Sequence, residues 1–172
     1  RYIGDWSSDV CSSDLTLGEK IEKPYFLCIG RFTRQKNHLF LLNFFSKNKE
    51  YLKDTDLILI GDGELKKDYI KIIKKGKLEN NVKILNYKKN VFNYIRNAKS
   101  IISSSLWEDP GFIMVEAASL GTPIISSNCP SGPKEFIGQN HNGFIYESNN
   151  EESFKDTLND FIKTPNNEMK LK

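Results

Sequence analysis

The sequence predicts an α/β domain built on a doubly wound, parallel β-sheet. Three observations point there. From Lys23 onward, short runs rich in β-branched and aromatic residues alternate with longer stretches of helical periodicity. The short runs are continuously apolar rather than alternating, as strands covered on both faces are. Glycines or serines follow several of them, at Gly30, Gly61, Gly63 and Ser103 to Gly111, where a chain can turn toward a covering helix.

Each element follows from its residues. "YFLCIG" reads as a buried strand ending at Gly30, and "HLFLLNFFSKNKEYL" carries apolar residues at helical spacing. "DLILIGDG" is a second strand running into a Gly-Asp-Gly turn. In "ELKKDYIKIIKKGKL", Leu65, Tyr69, Ile72 and Ile73 share one helix face, with lysines opposite. "NVKIL" is a short strand, "VFNYIRNA" a short helix and "SIISSS" the next strand. "GFIMVEAASLG" reads as a helix closed by Gly121 at its C-terminal cap. "TPIISS" is a strand that tolerates Pro123 near its start. "SGPKEFI" opens a helix with Pro133 in its first turn, "GFIY" is a last strand, and Glu151 to Ile162 a final helix. This is a Rossmann-like order, in which ligands sit beyond the carboxyl ends of the strands.

The 172 residues suffice for one domain with a single sizeable core, and 38% hydrophobic content argues against disorder. A net charge of +3, with lysines scattered among acids and asparagines, carries no nucleic-acid signature. No apolar stretch approaches the ~20 residues that cross a bilayer, although surface lysines leave peripheral membrane association open. Cys11, Cys28 and Cys129 lack metal-ligand spacing, and with two histidines no metal site is expected. A cytoplasmic setting is the default, with the inner face of the membrane as its variant. Residues 1–15 are set apart: "DWSSDVCSSDL" matches the translation of a sequencing-library adapter and is expected to be a non-native tail, leaving Trp6 and Cys11 without function.

Two motifs carry chemistry. In "GRFTRQKN", Arg31 and Lys36 lie in a loop between a strand and a helix, a setting that suits a phosphate or diphosphate. The alternative is a pair of solvated cations. In "EDPGFIMVEA", Glu108 and Glu116 have seven residues between them. Glu116 is the only charge between Gly111 and Asn128, and its apolar neighbours imply burial. A buried carboxylate needs donors, and sugar or ribose hydroxyls supply them; the alternative is a helix glutamate facing solvent. "GDGE" at 61–64 is read as a turn, and "DTD" at 54–56 as a loop feeding a strand, not as a metal site.

The stretches "IGRFTRQKN", "LILIGDGEL", "SSSLWEDPGFIMVEAASLGTPIISSNCPSGPKEF" and "NGFIY", in this order and spacing, resemble the C-terminal, donor-binding domain of retaining GT-B glycosyltransferases, glycosyltransferase family four. The resemblance spans about Lys23 to Tyr146. It implies that residues 16–172 are one half of a GT-B fold, with the acceptor domain missing and the fragment inactive alone. It implies transfer of a hexose from a nucleotide diphosphate sugar, UDP-linked by family habit, to an acceptor hydroxyl with retention, in bacterial surface polysaccharide or glycolipid synthesis. By the same resemblance Arg31 and Lys36 hold the diphosphate, and Glu108 contacts the transferred sugar. Gly30, Gly111 and Phe112 line the sugar and phosphate, Glu116 binds the ribose diol, and Tyr87 in "NYKKN" is a candidate at the base. No cofactor or metal is implied. The partners are the nucleotide-sugar donor and a carbohydrate or lipid-linked acceptor, with no nucleic acid. One departure is visible: Asp109-Pro110 stands where the family has Gly-Phe, and Pro110 has no N–H to donate. A non-catalytic nucleotide-binding module, and an epimerase or phosphorylase of the same architecture, remain as alternatives.

Overall fold

The computed structural model describes residues 21–108, 111–138 and 143–164. The expected tail at 1–15 and the Asp109-Pro110 departure lie outside the described residues. Six strands, β1 (Tyr25–Ile29), β2 (Asp56–Ile60), β3 (Val82–Leu85), β4 (Ser100–Ser103), β5 (Ile124–Ser127) and β6 (Gly143–Tyr146), form one sheet in the order β3-β2-β1-β4-β5-β6. Every pairing is parallel, with Leu27 opposite Ile58 on one side and Ile101 on the other. Among the described residues five helices connect them, α1 (His38–Lys47), α2 (Lys66–Gly76), α3 (Phe92–Asn97), α4 (Phe112–Ser119) and α5 (Pro133–Gly138), and α6 (Glu151–Lys163) follows β6.

The strand pattern explains the two-sided covering. Along β1, Phe26 and Cys28 join one apolar cluster with Phe44 and Phe45 of α1, Tyr69 of α2 and Phe154 and Phe161 of α6. Tyr25 and Leu27 face the other way, into a cluster with Ile95 of α3, Met114 and Ala117 of α4, and Ile137 of α5. Successive side chains of a strand point to opposite faces. A strand with a helix layer on each side is therefore apolar on both faces, as "YFLCI" is throughout and "DLILI" is after Asp56.

One expected helix is interrupted. The periodic stretch from His38 to Leu52 yields α1 only to Lys47, then a separate 3₁₀ turn at Lys49–Leu52. Asn48 causes the break: its backbone N–H and its side-chain Nδ2 both donate to the Phe44 carbonyl, at 3.0 and 2.8 Å. An asparagine that satisfies the last turn with its own amide ends a helix at little cost. The expected stop after α4 is present, with Gly121 at φ 69° in the left-handed region and its N–H bonded to the Ala118 carbonyl.

Candidate functional site

The chain leaves β1 toward β2 and β3 on one side, and leaves β4 toward β5 and β6 on the other. Connections that diverge in this way open a crevice outside the carboxyl ends of β1 and β4. Two loops border it, residues 30–37 and residues 104–108, and they are stitched together by hydrogen bonds. The Leu106 N–H donates to the Gln35 carbonyl at 2.8 Å, Gln35 Nε2 to the Trp107 carbonyl at 3.0 Å, and Ser104 Oγ to the Lys36 carbonyl at 2.9 Å.

This stitching brings Lys36 against Glu108. Lys36 Nζ donates to both carboxylate oxygens, at 2.7 Å to Oε1 and 2.9 Å to Oε2. Ser105 Oγ also donates to Oε1. The Glu108 side chain is 4% exposed and that of Lys36 20%, so the pair sits largely out of water. Burial of a carboxylate is tolerated because charge-assisted hydrogen bonds replace its hydration. The lysine stem passes over Gly30, where an added Cβ would lie 3.2 Å from Lys36 Cε. Gly111 lies against the acid, since its Cβ would stand 3.7 Å from Glu108 Cγ, an ordinary contact distance.

Hydroxyl groups fix the surroundings. Ser127 Oγ donates to the Ser105 carbonyl at 2.6 Å, and the Tyr146 hydroxyl to the Ser103 carbonyl at 3.0 Å. The Glu108 N–H donates to the Pro130 carbonyl at 3.3 Å, tying in the loop after β5. Burial, and then the Lys36 charge, push the His38 imidazole down to about 3. It is a neutral core histidine packed between Phe32 and Tyr69. Burial raises the Cys129 thiol, with Glu108 adding to the rise.

Beside the pair, on the β2 and β3 side, lies an open cleft of about 690 Å³ bordered by Gly30, Arg31, Asp62, Glu64, Tyr87 and Lys88. Two strand ends shape its floor. A Cβ on Gly61 would fall 2.0 Å from the Gly30 carbonyl oxygen, so the loops after β1 and β2 touch only because that residue is glycine. Arg31 is exposed, and no carboxylate among the described residues pairs with it. Tyr87 is 75% exposed.

Helix α4 reaches the pair through Ile113, which lines a small pocket with Lys36 and Glu108. Gly111 precedes it, no side chain caps its first turn, and Phe112 at its start is 69% exposed. Glu116 corrects one expectation: its apolar neighbours implied burial, but it is half-buried. Phe112 and Val115 turn outward and leave it partly open to water, while Met114 and Ala117 face the core. Partial burial still raises its carboxyl above the usual carboxylate range. Among the described residues no hydrogen bond or ion pair reaches that carboxylate.

The structure therefore brings Gly30, Lys36, Glu108 and Gly111 together, with Arg31 and Tyr87 on the adjoining cleft and Phe112 and Glu116 on α4. Ser105 and Gln35 escaped notice in the sequence. The available signal was "SSS" at 103–105, three hydroxyls where a buried strand would otherwise continue with branched apolar residues. Of the "GDGE" segment only Glu64 lies in a turn, the one leading into α2, and the segment borders the cleft through Asp62 and Glu64. Among the described residues, no group of three His, Cys, Asp or Glu side chains could hold a metal ion. None of the described helices is long and apolar enough to cross a membrane.

Comparison with known proteins follows the same outline. The family model for glycosyl transferases group 1 matches residues 16–172. An uncharacterized glycosyltransferase of Methanocaldococcus jannaschii is 38% identical over 128 residues, which is 69% of this chain and 32% of the relative. The N-acetylgalactosamine-N,N'-diacetylbacillosaminyl-diphospho-undecaprenol 4-alpha-N-acetylgalactosaminyltransferase of Campylobacter jejuni is 27% identical over 81% of this chain and 36% of its own. TarM of S. aureus, in a complex that includes UDP, superposes with a TM-score of 0.76 at 23% identity, covering 83% of this chain and 29% of that one. The chain thus spans about a third of the length of the curated relatives it matches.

Proposed function

Because the chain belongs to the group 1 glycosyltransferases, we propose that it is the donor-binding half of an enzyme that transfers a hexose from a nucleotide diphosphate sugar to an acceptor hydroxyl, with retention. The observation that carries this reading is the Lys36–Glu108 pair, held at the carboxyl ends of β1 and β4 next to the 690 Å³ cleft. The cleft has the volume of a small-molecule site. A cation, an acid and an exposed arginine at one crevice are what a diphosphate joined to a polyol requires.

In this reading Arg31 and Lys36 neutralise the diphosphate as it departs, helped by the uncapped first turn of α4, whose N–H groups favour negative charge. Glu108 accepts from the transferred sugar, with Gly30, Gly111 and Phe112 bordering the sugar and phosphates. Glu116 accepts the ribose diol. A carboxylate with its pKa raised by partial burial and no donor among the described residues is suited to two vicinal hydroxyls. Tyr87 lies beside the base. No step calls on a metal; the protein contributes position and fixed charge. UDP is the expected carrier, which the UDP held by TarM supports. A lipid-linked acceptor in surface glycan synthesis is supported by the Campylobacter jejuni relative, whose name describes such an acceptor. Acceptor binding is assigned to a domain beyond this chain, so the isolated chain is expected not to transfer sugar.

Calorimetric titration with UDP, GDP and ADP tests the reading. One of the three binds, and Glu116→Ala weakens it by about 5- to 150-fold, the ~1–3 kcal/mol of an orphaned hydrogen-bonded group. Absence of binding by all three nucleotides would overturn the donor-site reading, and unchanged affinity in Glu116→Ala would overturn the ribose assignment.

A further inference from the structure

The acceptor capacity of Glu108 is almost used up before any ligand is considered. An ionised carboxylate has about four lone-pair positions, two on each oxygen. Oε1 receives Lys36 Nζ and Ser105 Oγ, and Oε2 receives Lys36 Nζ at 2.9 Å. Three positions are filled by described side chains, leaving one, on Oε2. Glu116 is the opposite case, with no donor among the described residues. The two acids flanking Gly111 therefore differ in kind: Glu116 can take a diol, Glu108 a single hydroxyl.

Ser105 makes this difference. Its residue is 1% exposed, and its carbonyl is gripped by Ser127 Oγ at 2.6 Å. Its hydroxyl also lies 3.4 Å from Ser103 Oγ. With the backbone held from β5, the Ser105 side chain has little freedom, and the Glu108 carboxyl plane is pinned at two points, by Lys36 and by Ser105. Without Ser105 the carboxylate keeps one tether and can pivot about the lysine. Oε1 would also regain a position that could accept from ligand or water.

We propose that Ser105 is a positioning residue of the donor site, which blocks Oε1 and orients Glu108 so that Oε2 alone accepts one hydroxyl of the donor sugar. The proposal deepens the donor-site reading and rests on it. It predicts that Ser105 governs the part of the affinity that comes from the sugar, leaving the part that comes from the nucleotide untouched.

The test is calorimetric titration of the chain and its variants with UDP and with UDP-glucose. The measured quantity is the ratio of the two dissociation constants. In Ser105→Ala, UDP binds within about twofold of the parent, while the preference for UDP-glucose over UDP falls about tenfold, the size of one hydrogen bond to a charged group. Ser105→Thr, which keeps the hydroxyl, restores the preference. Unchanged UDP affinity also shows that the variant is folded. A preserved preference in Ser105→Ala overturns the proposal and leaves the donor-site reading standing. Equal loss of UDP and UDP-glucose affinity also overturns it, because Ser105 would then support the fold rather than the sugar. If the parent chain binds GDP or ADP instead of UDP, the same ratio is read with that nucleotide and its glucose conjugate; if it binds none of the three nucleotides, the donor-site reading itself fails and the proposal falls with it.

Discussion

Replacing Lys36 with methionine removes the charge that holds Glu108 but keeps much of the stem volume over Gly30. Glu108 is 4% exposed, so its carboxylate would remain in place with Ser105 as its one remaining side-chain donor among the described residues. Breaking a buried ion pair from one side costs about 3–5 kcal/mol, most of it the unpaired charge. Lys36 is 20% exposed, so some water can enter, which places the expected loss near the lower limit, about 3 kcal/mol. For a chain of 172 residues, this corresponds to a fall of roughly 6–12 °C in Tm. Glu108→Gln should cost far less, about 1 kcal/mol: the lysine amine can turn to water, and the amide oxygen still accepts from Ser105. The double substitution should cost about 2 kcal/mol, well short of the sum of the singles, giving a coupling of roughly 2 kcal/mol. Urea denaturation of the four proteins, at one pH and salt concentration, measures all three quantities. If the singles simply add, or if Glu108→Gln costs more than Lys36→Met, the two groups are not a desolvated pair and the argument from burial is wrong.

Two further predictions concern the fold beneath the site. Because His38 is held neutral, with its folded value of about 3 below the ordinary 6.5, the unfolded chain binds a proton that the native state refuses. Its contribution to stability is complete above pH 6.5 and is lost as the pH falls toward 3, at up to about 1.4 kcal/mol per pH unit. In melting curves between pH 7 and 4.5, His38→Leu should show a flatter decline than the parent; parallel curves would exclude His38 as the source. Gly61→Ala should cost 3 kcal/mol or more, because a Cβ would lie 2.0 Å from a backbone oxygen at φ 153°. At Gly121, φ is 69° and no atom stands within 4 Å of the added Cβ, so Gly121→Ala should cost only about 1 kcal/mol. Comparable denaturation midpoints for the two alanine variants would contradict the close approach of the β1 and β2 loops.

The fold was legible where two signals agreed. Strands β1 and β2 announce themselves because a two-sided cover demands an unbroken apolar run, and Gly30 and Gly61 mark their ends. The end of α1 was not legible, since Asn48 is compatible with a helix interior until its amide is seen to bond the Phe44 carbonyl. At the site, Arg31, Lys36 and Glu108 could be picked out as candidates, but the mutual pairing of Lys36 and Glu108 could not. Nothing in local sequence says which of several cations in a lysine-rich chain meets an acid 72 residues away. Glu116 was misjudged for a different reason. Helix α4 spans eight residues and is apolar on nearly every side, so periodicity offers too few turns to tell the inward face from the outward one.

The seam between β1 and β4 also has a kinetic consequence. These neighbours are joined through two intervening strands, and the contacts across their ends, Gln35 with Trp107 and Lys36 with Glu108, each span 72 residues. Closing so long a loop has an entropic cost before any contact is made, and non-local pairing of this kind slows folding. The crevice is complete only once the seam has closed, and it is expected to form after the local helices. Trp107, half-exposed and hydrogen-bonded through its carbonyl to Gln35, stands at that seam. Apart from Trp6 it is the only indole in the chain, so with Trp6 replaced its fluorescence during refolding would time the closure of the seam.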